Sequence, residues 1–455
     1  MSEIEWDLNL IQKYNQSGPR YTSYPTALEF NDAYSEQDFL QAANRYPERP
    51  LSLYVHIPFC HKLCYFCACN KVITRHQHKA DIYLDYLEKE VKARATLFRE
   101  RTVTQIHWGG GTPTYLSEAQ SSRLMQMLRD NFRISPEAEI SIEMDPREIE
   151  LSMLDHLRKI GFNRISMGIQ DFNKDVQAAI NRIQDEEFIF SLMKKARELG
   201  FTSTNIDLIY GLPFQTVDSF MATLQRVSEL NPDRMSVFNY AHLPSRFAGQ
   251  HKIKDATLPP PNSKLTILQK TIETLTGAGY RFIGMDHFAK PDDELAIAQQ
   301  NGVLHRNFQG YTTQEEADLL GLGVSAISLM GDHYAQNQKE LKQYYADVED
   351  HGNALHKGFA MSQEDCLRRD VIKALICNFR LDYAPLEQQY GIDFKTHFAE
   401  DLALLKPLAE DGLLTIGDTA LIVSAKGRLL IRNICLCFDT YSRQLAKRQQ
   451  FSRII

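Results

Sequence analysis

The run Cys60-His61-Lys62-Leu63-Cys64-Tyr65-Phe66-Cys67-Ala68-Cys69 gathers four of the chain's eight cysteines at the spacing C-x3-C-x2-C-x-C. Thiolates are the soft ligands of iron–sulfur clusters, and a tight run presents several of them together. A disulfide reading is weak, because adjacent cysteines rarely meet bridging geometry and nothing else in the chain reads as secreted. Zinc is the stronger rival, yet zinc sites pair one C-x2-C with a second, distant knuckle, and none is visible. Three cysteines at C-x3-C-x2-C leave one iron of a cubane without a protein ligand, open to a substrate or cofactor.

Composition bounds the rest. The 455 residues suffice for a large core and a second, smaller domain. A net charge of −7, with 43% hydrophobic and 24% charged residues, describes an ordinary globular chain and argues against nucleic acid or an anionic membrane as main partner. The acidic start, Met1 to Glu5, has no apolar signal core, and no apolar run is long enough to span a bilayer. A reduced cytoplasm is the expected compartment.

Upstream of the cysteines, Gly18-Pro19-Arg20-Tyr21-Thr22-Ser23-Tyr24-Pro25-Thr26 reads as an extended arm, since proline stands near both ends. From residue 51, short β-rich runs alternate with amphipathic stretches. The runs are 51–58, 104–111, 139–146, 164–170, 202–210 and 234–241; helices are expected at 79–98, 117–131, 150–160, 185–200 and 216–229. Six such units argue a parallel sheet in a barrel or partial barrel more than a doubly wound one. The runs end on Tyr54/His56, His107 to Thr112, Glu143/Asp145, Gln170-Asp171, Asp207 and Asn239/Tyr240, which implies a polar mouth where barrel sites form. A further strand is expected at 282–289, carrying Asp286 and His287. From about 361 a helical pattern with a β-like run at 419–423 suggests a winged-helix-like domain acting as a lid or cap. The tail, with Arg443, Lys447, Arg448 and Arg453, reads as a solvated helix end.

Gly109-Gly110-Gly111-Thr112-Pro113 lacks the Lys-Ser/Thr pair of a nucleotide phosphate loop. Its content is bare backbone that a ligand can approach closely. Glu143 and Asp145 share a strand face; they could form an acid–base couple, or Asp145 could simply cap the helical stretch that begins after Pro146. Tyr54 and His56 likewise share a face, although a lone histidine is more often structural.

Cys60-x3-Cys64-x2-Cys67, with Phe66 before the third cysteine, resembles the signature of the radical S-adenosylmethionine (SAM) enzymes. With Cys69 and the Pro19 to Thr26 arm it resembles the oxygen-independent coproporphyrinogen III oxidase branch over essentially the whole chain. The resemblance implies an α/β fold: a partial (β/α)6 radical SAM barrel and extension (51–355), an N-terminal arm over the active site (1–50) and a mainly helical C-terminal domain (356–455). It implies an oxidoreductase of haem biosynthesis that converts two propionates of coproporphyrinogen III to vinyl groups through a SAM-derived 5′-deoxyadenosyl radical. It further implies a [4Fe–4S] cluster on Cys60, Cys64 and Cys67, and two bound SAM molecules. The SAM contacts it implies are Tyr54, Phe66, Cys69, Gly110, Gly111, Thr112, Glu143, Gln170, Arg182, Asp207, Ala241 and Ile327, with Tyr54, His56, Cys69 and Glu143 as the catalytic set. Arg20 is the candidate for a substrate carboxylate. An electron donor such as a flavodoxin and its reductase, a monomeric state and no nucleic-acid or membrane partner are expected.

One departure stands out. The family has glycine where this chain has Ala68; a left-handed backbone there would be strained by a β-carbon, whereas a negative φ carries alanine without cost. Two rivals are a haem chaperone of the same superfamily, which has phenylalanine in place of Cys69, and a zinc-binding structural protein. Cys366, Cys377, Cys435 and Cys437 read as small buried hydrophobes.

Overall fold

The computed structural model describes residues 4–16 and 18–445. The chain divides into two compact units, one formed by 30–268 and 316–360, the other by described residues of 1–29, 269–315 and 361–455. Each unit is therefore built from separated segments, and the 1–50 arm is shared between them.

In the first unit six strands follow in chain order: β1 (Leu51–Ile57), β2 (Thr102–Gly110), β3 (Arg133–Met144), β4 (Arg164–Gln170), β5 (Ser203–Tyr210) and β6 (Arg234–Asn239). Neighbours pair in parallel, in the order β1-β2-β3-β4-β5-β6. Parallel strands need crossovers, and the connections carry α1 (His78–Ala95), α2 (Glu118–Asn131), α3 (Ser152–Ile160), α4 (Glu186–Glu198) and α5 (Val217–Leu230). The helix starts are written in the sequence: Ser117 and Gln120 form a capping box on α2, Thr216 and Ser219 another on α5, and Asp185 caps α4. Gly161, at φ +111°, ends α3 in the left-handed region. Leu51, Leu53, Val55 and Ile57 of β1 are fully buried and Ser52 nearly so, as expected of a strand covered on both faces. This is the partial (β/α)6 barrel expected.

Beyond the barrel the sheet continues as β7 (Asp318–Leu322), β8 (Ile327–Met330), β9 (His333–Asn337) and β10 (Leu355–Ala360). β7 joins β1 in parallel, and β8, β9 and β10 follow antiparallel. Gly321 in β7 leaves room for the neighbouring strand: a β-carbon there would lie 2.6 Å from the Ile327 carbonyl oxygen. Buried Glu90 of α1 pins this extension, accepting from Tyr344 at 2.7 Å, Asn337 at 2.6 Å and the Gly323 amide at 2.8 Å.

The second unit contains a helix Gln363–Asn378, capped by Ser362 and Asp365, and a three-stranded antiparallel sheet whose central strand is Ala420–Val423, flanked by Arg380–Asp382 and Leu414–Ile416. Along the chain the helix is followed by a strand, three further helices and a hairpin. The expected strand at 282–289 is instead a hairpin, Arg281–Gly284 with His287–Ala289, because Gly284 and Met285 both take positive φ and turn the chain. The arm packs within this unit. Buried Arg432 donates to the carbonyls of Gly18 and of Pro19, the latter at 2.7 Å; Tyr21 reaches Asp439 at 3.1 Å, and Arg20 pairs with Asp286 at 2.5 Å. Of the basic tail, Lys447, Arg448 and Arg453 lie outside the described residues.

Candidate active site

The C-terminal ends of β1, β2 and β3 bring the first group together. Tyr54 and His56 share a face of β1, and the Tyr54 hydroxyl lies 3.0 Å from Nδ1 of His56. Nε2 of His56 lies 3.0 Å from the Asn70 carbonyl, which can only accept. Nε2 therefore carries the proton and Nδ1 accepts from Tyr54, while burial holds the imidazole below its ordinary pKa. His56 is a neutral, fixed ring.

Glu143 leaves β3 beside β2. Its carboxylate accepts from the Gly110 amide and from Nε2 of His107, each at 3.3 Å, and His107 is steadied by Ser141 at 2.6 Å. Burial alone would push the carboxyl up, but His107 and the Gly110 amide hold it below its usual range. Although protein surrounds it, Glu143 keeps 46% of its side-chain surface accessible, so the recess is open to solvent and these interactions are screened. Neither Ser141 nor the role of His107 was apparent in the sequence; the pairing of His107 with Ser141 across β2 and β3 puts them in contact.

The glycines close the turn around these groups. Gly110 sits at φ +115°, and a β-carbon there would lie 2.6 Å from Cε1 of His56. A β-carbon on Gly111 would lie 2.7 Å from the Pro58 carbonyl. The Gly111 and Thr112 amides bond to the carbonyls of Ile57 and Phe59, both at 2.8 Å, which stitches the glycine turn to the entrance of the cysteine loop. Thr112 Oγ1 then reaches Cys60 Sγ at 3.3 Å.

The cysteine loop is held from outside. Asn181 donates to the Leu63 carbonyl at 2.7 Å, and the Tyr65 amide bonds to Ile180 at 3.0 Å. Phe66 packs on the cluster of Val176, Ile180, Ile209, Leu212, Tyr240 and Ile253. Gln250, 1% exposed, bridges the carbonyls of Phe66 and Ala241, tying the loop to the end of β6. Cys60 and Cys64 are buried, Cys67 partly so and Cys69 exposed, and all are free thiols. Burial pushes Cys60 up to about 11; a hydrogen bond from Cys69, with Lys71 nearby, holds Cys67 down and pushes Cys69 up. Ala68 is not among the residues with positive φ, so its β-carbon meets no backbone strain.

The remaining strand ends divide. Asp207 lies in the recess beside Asn205 and Ser166, and burial raises its carboxyl to about 6. Gln170, at φ +68°, presents a buried Oε1 with no partner, as does Oδ1 of Asn239. Arg182 donates to the Gly168 carbonyl and to Asp145. Ile327 opens β8, partly exposed. Two expected mouth residues lie elsewhere: Trp108 is core, edge-on to Phe162, and Asp171 is fully buried between Thr223 and Gln215. Asp145 caps the turn after β3, accepting from the Arg147 amide.

These residues suit a cluster and a nucleoside cofactor. Four free thiols share one loop, two buried amide oxygens lack partners, and glycines keep open the space beside Glu143 and His56. Among the described residues no three His, Cys, Asp or Glu side chains converge as ligands of a single ion. A cubane spreads its thiolates over different irons, so its ligands stand further apart than those of one ion.

The Radical SAM superfamily model matches residues 54–227, and the HemN C-terminal domain model residues 361–430. The chain is 70% identical to the oxygen-independent coproporphyrinogen III oxidase of Escherichia coli over 455 residues, covering 100% of both chains. The chain belongs to the oxygen-independent coproporphyrinogen III oxidase family. Its relative from Synechocystis is 50% identical, with 99% of this chain and 98% of that one covered. The solved structure of the Escherichia coli protein, described as a radical SAM enzyme, superposes with a TM-score of 0.94 at 68% identity, covering 97% of this chain and 100% of that one. Family membership brings the [4Fe–4S] cluster and SAM as cofactors, and Cys69 is in place, so the chaperone alternative is not favoured.

Proposed function

We propose that this chain carries out the oxygen-independent oxidative decarboxylation of two propionates of coproporphyrinogen III, giving the vinyl groups of protoporphyrinogen IX. The observation that carries this reading is the four-thiol loop stitched to the glycine turn and to Glu143, in a chain related over its full length to enzymes named for that reaction.

The residues that would hold the cofactors are Cys60, Cys64 and Cys67 for the cluster, and the Gly110 to Thr112 turn, Glu143, Asp207, Gln170, Arg182, Ala241 and Ile327 for SAM. When bound, these groups supply one-electron chemistry able to break an unreactive C–H bond that no side-chain base can deprotonate at neutral pH. The protein's part is orientation and exclusion of water. Glu143, kept ionised by His107 and the Gly110 amide, is a fixed acceptor for a cationic amino group. The Asp207 carboxyl suits ribose hydroxyls. The Tyr54–His56 pair fixes a neutral imidazole beside the turn, with both ring nitrogens engaged. Phe66 and Cys69 are proposed contacts of a second SAM. Arg20, paired with Asp286 in its own unit, is the arm's candidate for exchange onto a substrate carboxylate.

A flavodoxin-type donor, a monomeric state and a cytoplasmic location belong to this reading. No described helix is long and apolar enough to cross a membrane.

The test is anaerobic: reconstitute iron and sulfide, reduce, add SAM and coproporphyrinogen III, and separate the products by chromatography. Protoporphyrin and 5′-deoxyadenosine should appear together, and both should vanish in Cys64→Ala. A chain that assembles no cluster sinks the reading.

A further inference from the structure

Arg147 plays no part in the sequence reading, yet its Nη2 lies 3.2 Å from Sγ of Cys64. Nη1 of Arg182 meets the same sulfur at 3.3 Å. Asp145 stands behind both guanidiniums, accepting from Nε of Arg147 at 2.9 Å and from Nη1 of Arg182 at 3.1 Å. Nη1 of Arg147 is fixed in turn on the Asn181 carbonyl at 2.9 Å. All three side chains are at least nine-tenths buried, with accessibilities of 5%, 7% and 9% for Arg147, Arg182 and Asp145. Burial works against the Asp145 charge, but Arg182 and Arg147 hold its carboxyl down at about 2. Two cations therefore face one carboxylate in a poorly solvated place, and the Cys64 sulfur is the other acceptor that both meet.

The other two cysteines of the motif are served differently. Cys60 receives only the neutral Thr112 hydroxyl at 3.3 Å. Near Cys67, the Lys71 ammonium donates to the carbonyls of Cys67 and Cys69, at 3.1 and 3.3 Å, and is the side-chain cation that helps hold the Cys67 thiol down. Cys64 alone meets two charge-assisted N–H donors.

We propose that Arg147 is a positioning residue that tunes the iron–sulfur cluster: its guanidinium, aimed by Asp145 and Asn181, donates to the Cys64 thiolate and biases the cluster toward its reduced form. Hydrogen bonds to cluster sulfurs and buried charge are the levers by which a protein sets the reduction potential. Reduction adds a negative charge, and a nearby buried cation favours the state that carries it, with little solvent to screen the effect. The inference rests on the cluster reading above.

The test is a dye-mediated reductive titration of the reconstituted full-length chain, followed by electron paramagnetic resonance without SAM, with iron content measured alongside. Arg147→Met should load iron and shift its midpoint to more negative potential, leaving on the order of tenfold fewer clusters reduced at a fixed potential. Arg147→Lys, a point charge without the planar fork, should fall between. An unchanged or more positive midpoint in a loaded Arg147→Met protein overturns the assignment. If Arg147→Met takes up no iron, the lysine variant decides: a negative shift supports the proposal, and an unchanged midpoint or loss of iron overturns it. Failure of the wild-type chain to assemble a cluster overturns the cluster reading itself, a result distinct from an absent shift.

Discussion

The side-chain amide of Gln250 donates to the backbone carbonyl of Phe66 at 3.0 Å. The same nitrogen reaches the Ala241 carbonyl at 3.2 Å, while Oε1 accepts from the Leu243 amide. One buried side chain thus couples the cysteine loop to the strand end expected to meet SAM. Gln250→Ala should leave these backbone groups unpaired and cost about 2–4 kcal/mol. Urea denaturation of the apoprotein checks the stability loss; SAM affinity, measured by equilibrium dialysis on reconstituted protein, should fall with it.

Gly110→Ala is expected to be far more damaging than its one added carbon suggests. The new β-carbon meets the His56 ring at 2.6 Å on a backbone at φ +115°. Strain of about 1–3 kcal/mol and a displaced imidazole result. Turnover should drop by about a hundredfold, in line with small misplacements at other active sites. A normal rate in anaerobic assays would contradict the packing described.

Ala68→Gly should gain nothing. Ala68 does not take a positive φ, so restoring the family glycine only loosens the unfolded chain and lowers stability by about 0.4–1 kcal/mol. Iron content and turnover should match the parent. A large rise in activity would mean that the β-carbon obstructs the cofactor.

Asp207 gives a signed pH dependence. Burial raises its carboxyl from 3.8 to about 6, so between those values the folded chain holds a proton that the unfolded chain releases. Stability contributed by this group therefore falls as pH rises through about 4 to 6, by up to about 3 kcal/mol, and is flat above. Asp207→Asn should remove the slope. The difference between the two proteins' urea midpoints from pH 4 to 7 is the measurement.

Cys69→Ser should separate cluster assembly from turnover. Cys69 is exposed, whereas Cys60 and Cys64 are buried within the loop. Iron content should survive in this variant and product formation should not; loss of iron would make Cys69 a cluster ligand.

The barrel was legible because two periodicities alternate along the chain: apolar runs for strands buried on both faces, and 3.6-residue stripes with caps such as Ser117 and Thr216 for the helices. β3 begins at Arg133, six residues before the expected start, because Ser135-Pro136-Glu137 carries turn chemistry although the strand runs through it. The β7–β10 extension was hidden by Gly321 and Gly323, which punctuate a sequence but here make room for neighbouring backbone and for Tyr83. Within the site, Tyr54, Glu143 and the glycines announced themselves by position at strand ends. Arg147 and Gln250 did not: each is an ordinary polar residue in a connection, and its importance comes from partners 83 and 184 residues away.

Arg432, buried against the carbonyls of Gly18 and Pro19, carries a consequence for biosynthesis. Gly18 and Pro19 meet their packing partner 414 and 413 residues further along the chain, in a segment made long after them. The unit holding the cysteines is built from residues 30–268 and 316–360, none later than 360. Every segment of the thiol-bearing unit is therefore made before the segment that fastens the arm.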